Sequence, residues 1–280
     1  MGAADGPLPP DDILAYYNRG LEDRRLLEGT GRLERTRTEE LLARHLPSAP
    51  AAVLDVGGGT GHYAAWLAVR GYTVHLIEPV PLHLELARAR SAAQPHVPLA
   101  SITEGDARRL DWPENTVDAV LLLGPLYHLI VAAERQECLR EAWRVLRPGA
   151  IGIAVVISRF APTFDGLVSH LFQDPRFESI AWEDLENGRH HGHGDKYFTT
   201  AYLHLPDEIE PELAQAGFGN IHVLAVEGPG GLLQDFETQW ADRRIREIIL
   251  EAVRRTEGER SLLGASSHVM AIGWRLPPTP

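Results

Sequence analysis

Five apolar segments recur in the first 157 residues, at 51–57, 73–78, 99–105, 117–124 and 151–157. Several are apolar nearly throughout, the pattern of parallel strands buried on both faces rather than of one-sided strands, which alternate. Between them the apolar positions change to helical spacing. Tyr63, Trp66 and Leu67 follow the first segment, Leu82, Leu86 and Ala89 the second, and residues 134–146 the fourth, where Arg147, Pro148 and Gly149 form a stop. Strands alternating with helices predict an α/β domain, a doubly wound, mainly parallel sheet. Residues 1–46 lack such a strand; Leu33, Leu41, Leu42 and Leu46 mark an amphipathic helix over 32–46, a helical cap for the open end of the sheet. Residues 158–205 are richer in aromatic residues and histidine and read as an insertion or lid. The pattern then resumes with a helix at 206–216, a strand at 221–227, a helix at 236–255 and a last strand at 268–276. This divides the chain into a cap (1–46), the first half of the core (47–157), the insertion (158–205) and the closing part of the core (206–280). No internal repeat is found, and the tail PPTP is expected to fray.

Composition narrows the partners. The 280 residues are 44% hydrophobic, enough for one large domain with an insertion. Acidic residues outnumber Lys and Arg by 39 to 27, a formal charge of −12, so a basic surface for gripping phosphate backbones is not expected, nor is nucleic acid as the partner. Cys138 is the single cysteine, which excludes an intrachain disulfide and fits a reducing, cytoplasmic setting. The first twelve residues lack the apolar core of a signal peptide, Gly6 stands where a myristoylation signal has Ser or Thr, and no apolar run reaches the length of a membrane span.

The densest local signal is VLDVGGGTG, residues 53–61, a glycine turn straight after the first strand. In an open α/β sheet ligands sit beyond the carboxyl ends of the strands, and glycines let backbone N–H groups approach them closely. From Gly57 the spacing is G-x-G-x-G, which is neither the dinucleotide fingerprint G-x-G-x-x-G nor a P-loop with its Lys-Ser/Thr pair. Further polar positions fall at successive strand ends. Glu78 closes the second strand, where a carboxylate can accept from both hydroxyls of a ribose. Asp106 follows the third, where it can receive an adenine amino group, and the fourth runs into Gly124-Pro125-Leu126-Tyr127-His128 before VLRPG at 145–149.

With these residues the chain resembles the class I S-adenosylmethionine-dependent methyltransferases, closely over about 50–157 and more loosely beyond. The resemblance implies a Rossmann-like seven-stranded sheet whose last strand is antiparallel, with S-adenosyl-L-methionine as cofactor and S-adenosyl-L-homocysteine as product. It assigns Gly57, Gly58, Gly59 and Gly61 to the methionine and ribose side, Glu78 to the ribose, Asp106 with Ala107 to the adenine, and Leu123 with Gly124 to the neighbourhood of the methyl donor. Pro79 is read as packing on the adenine or as structural, and Asp55 as an anchor of the turn or a partner of the cofactor's amino end.

Methyl transfer is an in-line displacement that needs mainly alignment, and a base only when the nucleophile carries a proton. His128 is the candidate base and Tyr127 its neighbour for orienting the acceptor, against the alternative that both pack. Arg35, in Glu34-Arg35-Thr36-Arg37, is the candidate partner of the methionine carboxylate, or else a surface ion pair. Tyr17 is expected at the mouth of the site. The run from Gly188 to Asp195 holds three histidines without helical spacing, so no metal is expected there; His190 and His191, with Tyr197, are read as acceptor-side residues of a mobile loop. Phe164, Phe172 and Trp182 form an acceptor wall or the insertion's own small core.

The function expected is methyl transfer to an oxygen, nitrogen, sulfur or carbon nucleophile of a small metabolite. GPLY stands where many base-methylating enzymes carry an Asn/Asp-Pro-Pro-Tyr/Phe motif, which argues against base amines. Protein or RNA methylation, a non-catalytic cofactor-binding subunit and a nicotinamide oxidoreductase are the alternatives. The 236–255 helix is either a homodimer face or an ordinary cover of the sheet.

Overall fold

The computed structural model describes residues 10–192 and 197–277. Residues 1–9 with Gly6, residues 193–196 of the histidine-rich run, and 278–280 of the tail lie outside the described residues. Among the described residues nine strands follow in chain order: β1 Ala52–Val56, β2 Thr73–Glu78, β3 Ser101–Glu104, β4 Val117–Leu122, β5 Leu146–Ile157, β6 Arg189–His190, β7 Ala201–Tyr202, β8 Gly219–Ala225 and β9 His268–Trp274. Seven of them form one sheet in the order β3-β2-β1-β4-β5-β9-β8, and β6 with β7 makes a separate ribbon in the insertion. From β3 to β5 the neighbours are parallel, with Val53 level with both Val74 and Ala119. The last strand, β9, runs antiparallel between β5 and β8.

Strand alternation feeds two hydrophobic layers, one on each face. Val53 and Leu121 pack with Leu67, Leu76, Leu84 and Ile153, whereas the adjacent Leu54 and Leu122 pack with Leu139, Val156 and Leu213. Because successive residues point to opposite faces, strands loaded with Val, Ile and Leu at every position are buried on both sides. The helix Gly31–His45 does not close an open end of the sheet. Leu41 and Leu42 lie in the layer that holds Val53 and Leu67, while Leu33 joins Phe236, Trp240, Ile249 and Leu250 in a third cluster. It is thus a face-covering helix whose first half leans on the C-terminal helices.

Three other expectations are corrected. The helix Ala132–Val145 ends at the anticipated place, but the chain enters β5 at once, so Arg147-Pro148-Gly149 belongs to the strand. The 236–255 segment is two helices, Phe236–Ala241 and Arg243–Thr256, broken at Asp242, whose side chain caps the second by accepting from the N–H groups of Arg244 and Ile245. The cap also carries a helix Asp11–Tyr17 and a single turn Glu22–Arg25, which hydrophobic spacing did not predict.

In the insertion, the ring of Phe172 stacks on Trp182 at 5.3 Å and meets Phe177 edge-on at 5.4 Å; Phe177 lies 5.2 Å from Tyr197. These aromatics pack on one another within the insertion, with Phe177 buried and Trp182 exposed, and none of them lines the cavity described below. No described helix is long and apolar enough to cross a membrane.

Candidate functional site

A cavity of about 400 Å³ opens at the carboxyl ends of β1, β2 and β4, and cap residues from Pro10 to Thr38 supply its opposite wall. The glycine turn forms its floor. Gly57 takes φ +66°, and a Cβ there would lie 3.0 Å from Pro125; Gly58 has no room either, since a Cβ would lie 2.7 Å from Asp55 Oδ2. Gly57, Gly58 and Gly59 line the cavity, but Gly61 does not: it starts the helix His62–Val69 at φ +77° with Ala87 close against it. Its role is in packing two helices.

The three acids occupy different environments. Glu78 is 3% exposed, and its carboxylate accepts from Gly59 N–H at 2.9 Å, Val80 N–H at 3.0 Å and His83 Nδ1 at 3.2 Å. Asp55 is buried behind the turn with Oδ2 unpaired; burial, reinforced by the Glu78 charge, raises it to about 7. Asp55 lies under the turn, against Gly58, and also lines the cavity. Asp106 accepts from the N–H of Arg108 at 2.9 Å and from its guanidinium Nε at 3.0 Å, and it lines the cavity with Ala107 and Pro79.

Beyond β4, Leu123 and Gly124 reach the cavity and the turn Pro125–His128 brings Tyr127 and His128 to it in succession. His128 is not a free base. Its Nδ1 lies 3.3 Å from the carbonyl of Thr200, an acceptor only, so Nδ1 carries the proton and Nε2 accepts from the Tyr17 hydroxyl at 2.7 Å. Burial lowers His128 to about 4, which keeps the ring neutral around pH 7, and burial raises both the Tyr17 and Tyr127 hydroxyls. Phe198 of the insertion stacks on His128 at 5.9 Å and Tyr16 meets Phe198 at 5.4 Å, so cap, core and insertion join over this corner.

Arg35 is not at the cavity; its Nε is 3.9 Å from Glu39 on the outer side of the helix. Two arginines line the wall: Arg108, paired with Asp106, and Arg25, which pairs through two nitrogens with Glu34, one of them at 2.9 Å. Glu34 lies in turn 3.9 Å from His268, whose Nδ1 donates to Glu227 at 2.6 Å. The oxygens of Glu34 and Glu227 and the ring nitrogen of His268 lie within 4.8 Å of one another, a set that could hold a cation. Arg25 and a protonated His268 already balance its two carboxylates. Burial opposes charge on His268, but Glu34 and Glu227 outweigh it and raise the group to about 9. Since that is above the ordinary 6.5, the linked stability is complete below about pH 6.5 and is lost as pH rises through 9. The melting temperature is expected to fall between about pH 7 and pH 9, and His268→Gln to flatten that slope; an unchanged slope in the variant would reject the linkage.

The described residues of the histidine-rich run, 188–192, do not line the cavity. His190 sits in β6 with Nδ1 2.8 Å from Asp184 and Nε2 3.1 Å from the Phe198 carbonyl. His191 is exposed, 3.9 Å from Glu183, and the Tyr197 hydroxyl donates to Asp174 at 2.8 Å. Each is absent from the cavity wall. Tyr17 lines the cavity, and so do Arg25, Glu34, His83 and His268, which were not anticipated. Helical phase could have found Glu34, since it lies one turn before Thr38 on the side marked by Leu41 and Leu42.

Residues 54–154 match a family model described as a methyltransferase domain. The chain is similar to a demethylmenaquinone methyltransferase of Deinococcus radiodurans, 35% identical over 133 residues, which are 47% of this chain and 52% of the relative. It is also similar to the methyltransferase GfsG of Streptomyces halstedii, 36% identical over 44% of each chain. The chain thus spans about half the length of the curated relatives it matches. Among solved structures, a methyltransferase of Thermotoga maritima described as a possible histamine N-methyltransferase aligns with a TM-score of 0.57 at 16% identity, over 94% of this chain and 98% of its own. That likeness is one of fold.

Proposed function

We infer that this chain, whose residues 54–154 form a methyltransferase domain of the class I S-adenosylmethionine-dependent type, moves the sulfonium methyl of S-adenosylmethionine to a small-molecule nucleophile. The observation that carries this reading is the buried Glu78 carboxylate facing the cavity beside a glycine turn stripped of Cβ atoms. Such a pair suits a ribose and an amino-acid tail without phosphate. In this reading Gly57 to Gly59 hold the methionine part and Arg25, not Arg35, is the cation available to its carboxylate. Asp106 and Ala107 meet the adenine, and Leu123 and Gly124 flank the methyl donor.

The cavity walls align the reactants and exclude water. The acceptor lone pair forms the new bond to the methyl carbon while the carbon–sulfur pair stays on sulfur, leaving a neutral thioether. Where the nucleophile carries a proton, Tyr17 is the group that faces it. The acceptor's proton passes to the Tyr17 oxygen as the Tyr17 proton passes to His128 Nε2, along the 2.7 Å hydrogen bond between them. The positive charge lost from sulfur then resides on the imidazolium, so the pocket's net charge is conserved.

The formal charge of −12 favours a metabolite over a nucleic acid. A hydroquinone is the first acceptor to try, because the Deinococcus radiodurans relative is named for demethylmenaquinone. Titration calorimetry with S-adenosylmethionine and S-adenosylhomocysteine, with NAD as competitor, tests the cofactor, and transfer of labelled methyl to a panel led by demethylmenaquinol tests the acceptor. Micromolar binding to both sulfur nucleosides is expected. Binding of NAD with neither of them would overturn the reading.

A further inference from the structure

His83 lies in the first turn of the helix Pro81–Ala92, is 3% exposed and lines the cavity. Its Nδ1 faces Glu78 Oε1 at 3.2 Å; a carboxylate only accepts, so Nδ1 carries a proton, and in the Nδ1–H tautomer Nε2 offers a lone pair. That Nε2 is buried and has no hydrogen-bond partner. The ring is held edge-on against Tyr17 of the cap, centroids 4.9 Å apart.

The occupancy of Glu78 gives this orphan a purpose. A carboxylate has about four acceptor positions. Three are filled by Gly59 N–H, Val80 N–H and His83 Nδ1–H. One position is left for a ligand, whereas a ribose brings two hydroxyl donors. A buried acceptor without a donor is unfavourable, and His83 Nε2 is such an acceptor, on the ring already bonded to Glu78.

We propose that His83 Nε2 accepts one hydroxyl of the cofactor ribose while Glu78 accepts the other, so that the two side chains read the diol as a unit. This rests on the cofactor assignment above and changes one part of it: Glu78 alone does not take both hydroxyls. His83 is a specificity-determining residue for a nucleoside with both hydroxyls present.

Titration calorimetry of the full chain with S-adenosylhomocysteine and its 2′-deoxy and 3′-deoxy analogues, on the wild type and on His83→Leu, tests this. The variant is expected to bind S-adenosylhomocysteine about tenfold more weakly. One of the two deoxy analogues should bind wild type and variant equally, since the missing hydroxyl is the one His83 holds. Equal loss for all three ligands in the variant, or no loss for any, would overturn the proposal. Should His83→Leu fail to fold, the wild type alone decides: the proposal requires both deoxy analogues to bind more weakly than the parent, and full retention of affinity by either rejects it. Absence of S-adenosylhomocysteine binding by the wild type would instead reject the cofactor assignment.

Discussion

Glu78→Ala is expected to weaken S-adenosylhomocysteine binding at least about 100-fold. A hydrogen bond to a charged acceptor contributes about 1.5–3 kcal/mol, and each 1.4 kcal/mol is a factor of ten. The substitution removes the ribose contact and also strips the acceptor from Gly59 N–H and Val80 N–H, which hold the turn and the start of the following helix in position. One effect opposes this. Glu78 is the neighbouring charge that helps raise Asp55, so without it Asp55 returns toward the ordinary carboxylate range. Titration calorimetry gives the affinity and thermal melting the stability. Unchanged affinity would remove Glu78 from the site, and a collapsed melting temperature with weak binding would make its role chiefly structural.

Tyr17→Phe is expected to lower kcat by about 100-fold on an acceptor that carries a proton, because general-base assistance contributes roughly 10²–10⁴-fold. Affinity for S-adenosylhomocysteine should stay within about threefold of wild type, since the ring that packs against His83 and Tyr16 remains. His128→Ala should lower kcat similarly, and the double variant should lose little more than either single one, as expected of two groups that act as a unit. The comparison needs the acceptor found by the methyl-transfer panel. Additive losses, or unchanged turnover in His128→Ala with intact cofactor affinity, would overturn the proton path. An acceptor whose nucleophile carries no proton should be indifferent to both changes.

The difference between Arg35 and Arg25 explains why part of the site was legible in the sequence and part was not. Arg35 stood out because it lies in a charged run on a helix expected near the cofactor. On a helix each residue turns about 100° from the last, so the buried side of Gly31–His45 takes Glu34, Arg37, Thr38 and Leu41 and sends Arg35 outward. The leucine phase contained that information. Arg25 had no such signal, because it sits in a single turn, Glu22–Arg25, whose position depends on pairing with Glu34. His190 and Tyr197 misled for a related reason: residue type suggested chemistry, but Asp184 and Asp174 hold them in the insertion's own structure.

The sequence by itself determined the seven main strands, the antiparallel last strand through its family resemblance, the glycine turn and the acids at the strand ends. These depend on short-range facts: apolar run length, glycine spacing and the residue that closes each strand. Only the tertiary structure decided which side chains meet across the cavity. Glu34, Glu227 and His268 come from three distant segments, and Tyr17, His128 and Thr200 from the cap, the core and the insertion. Such contacts are set by how whole helices and strands pack, and no local pattern records that. The same packing brings the Tyr17 hydroxyl of the docked cap to 2.7 Å from His128 Nε2, a partner that the residue type alone did not indicate.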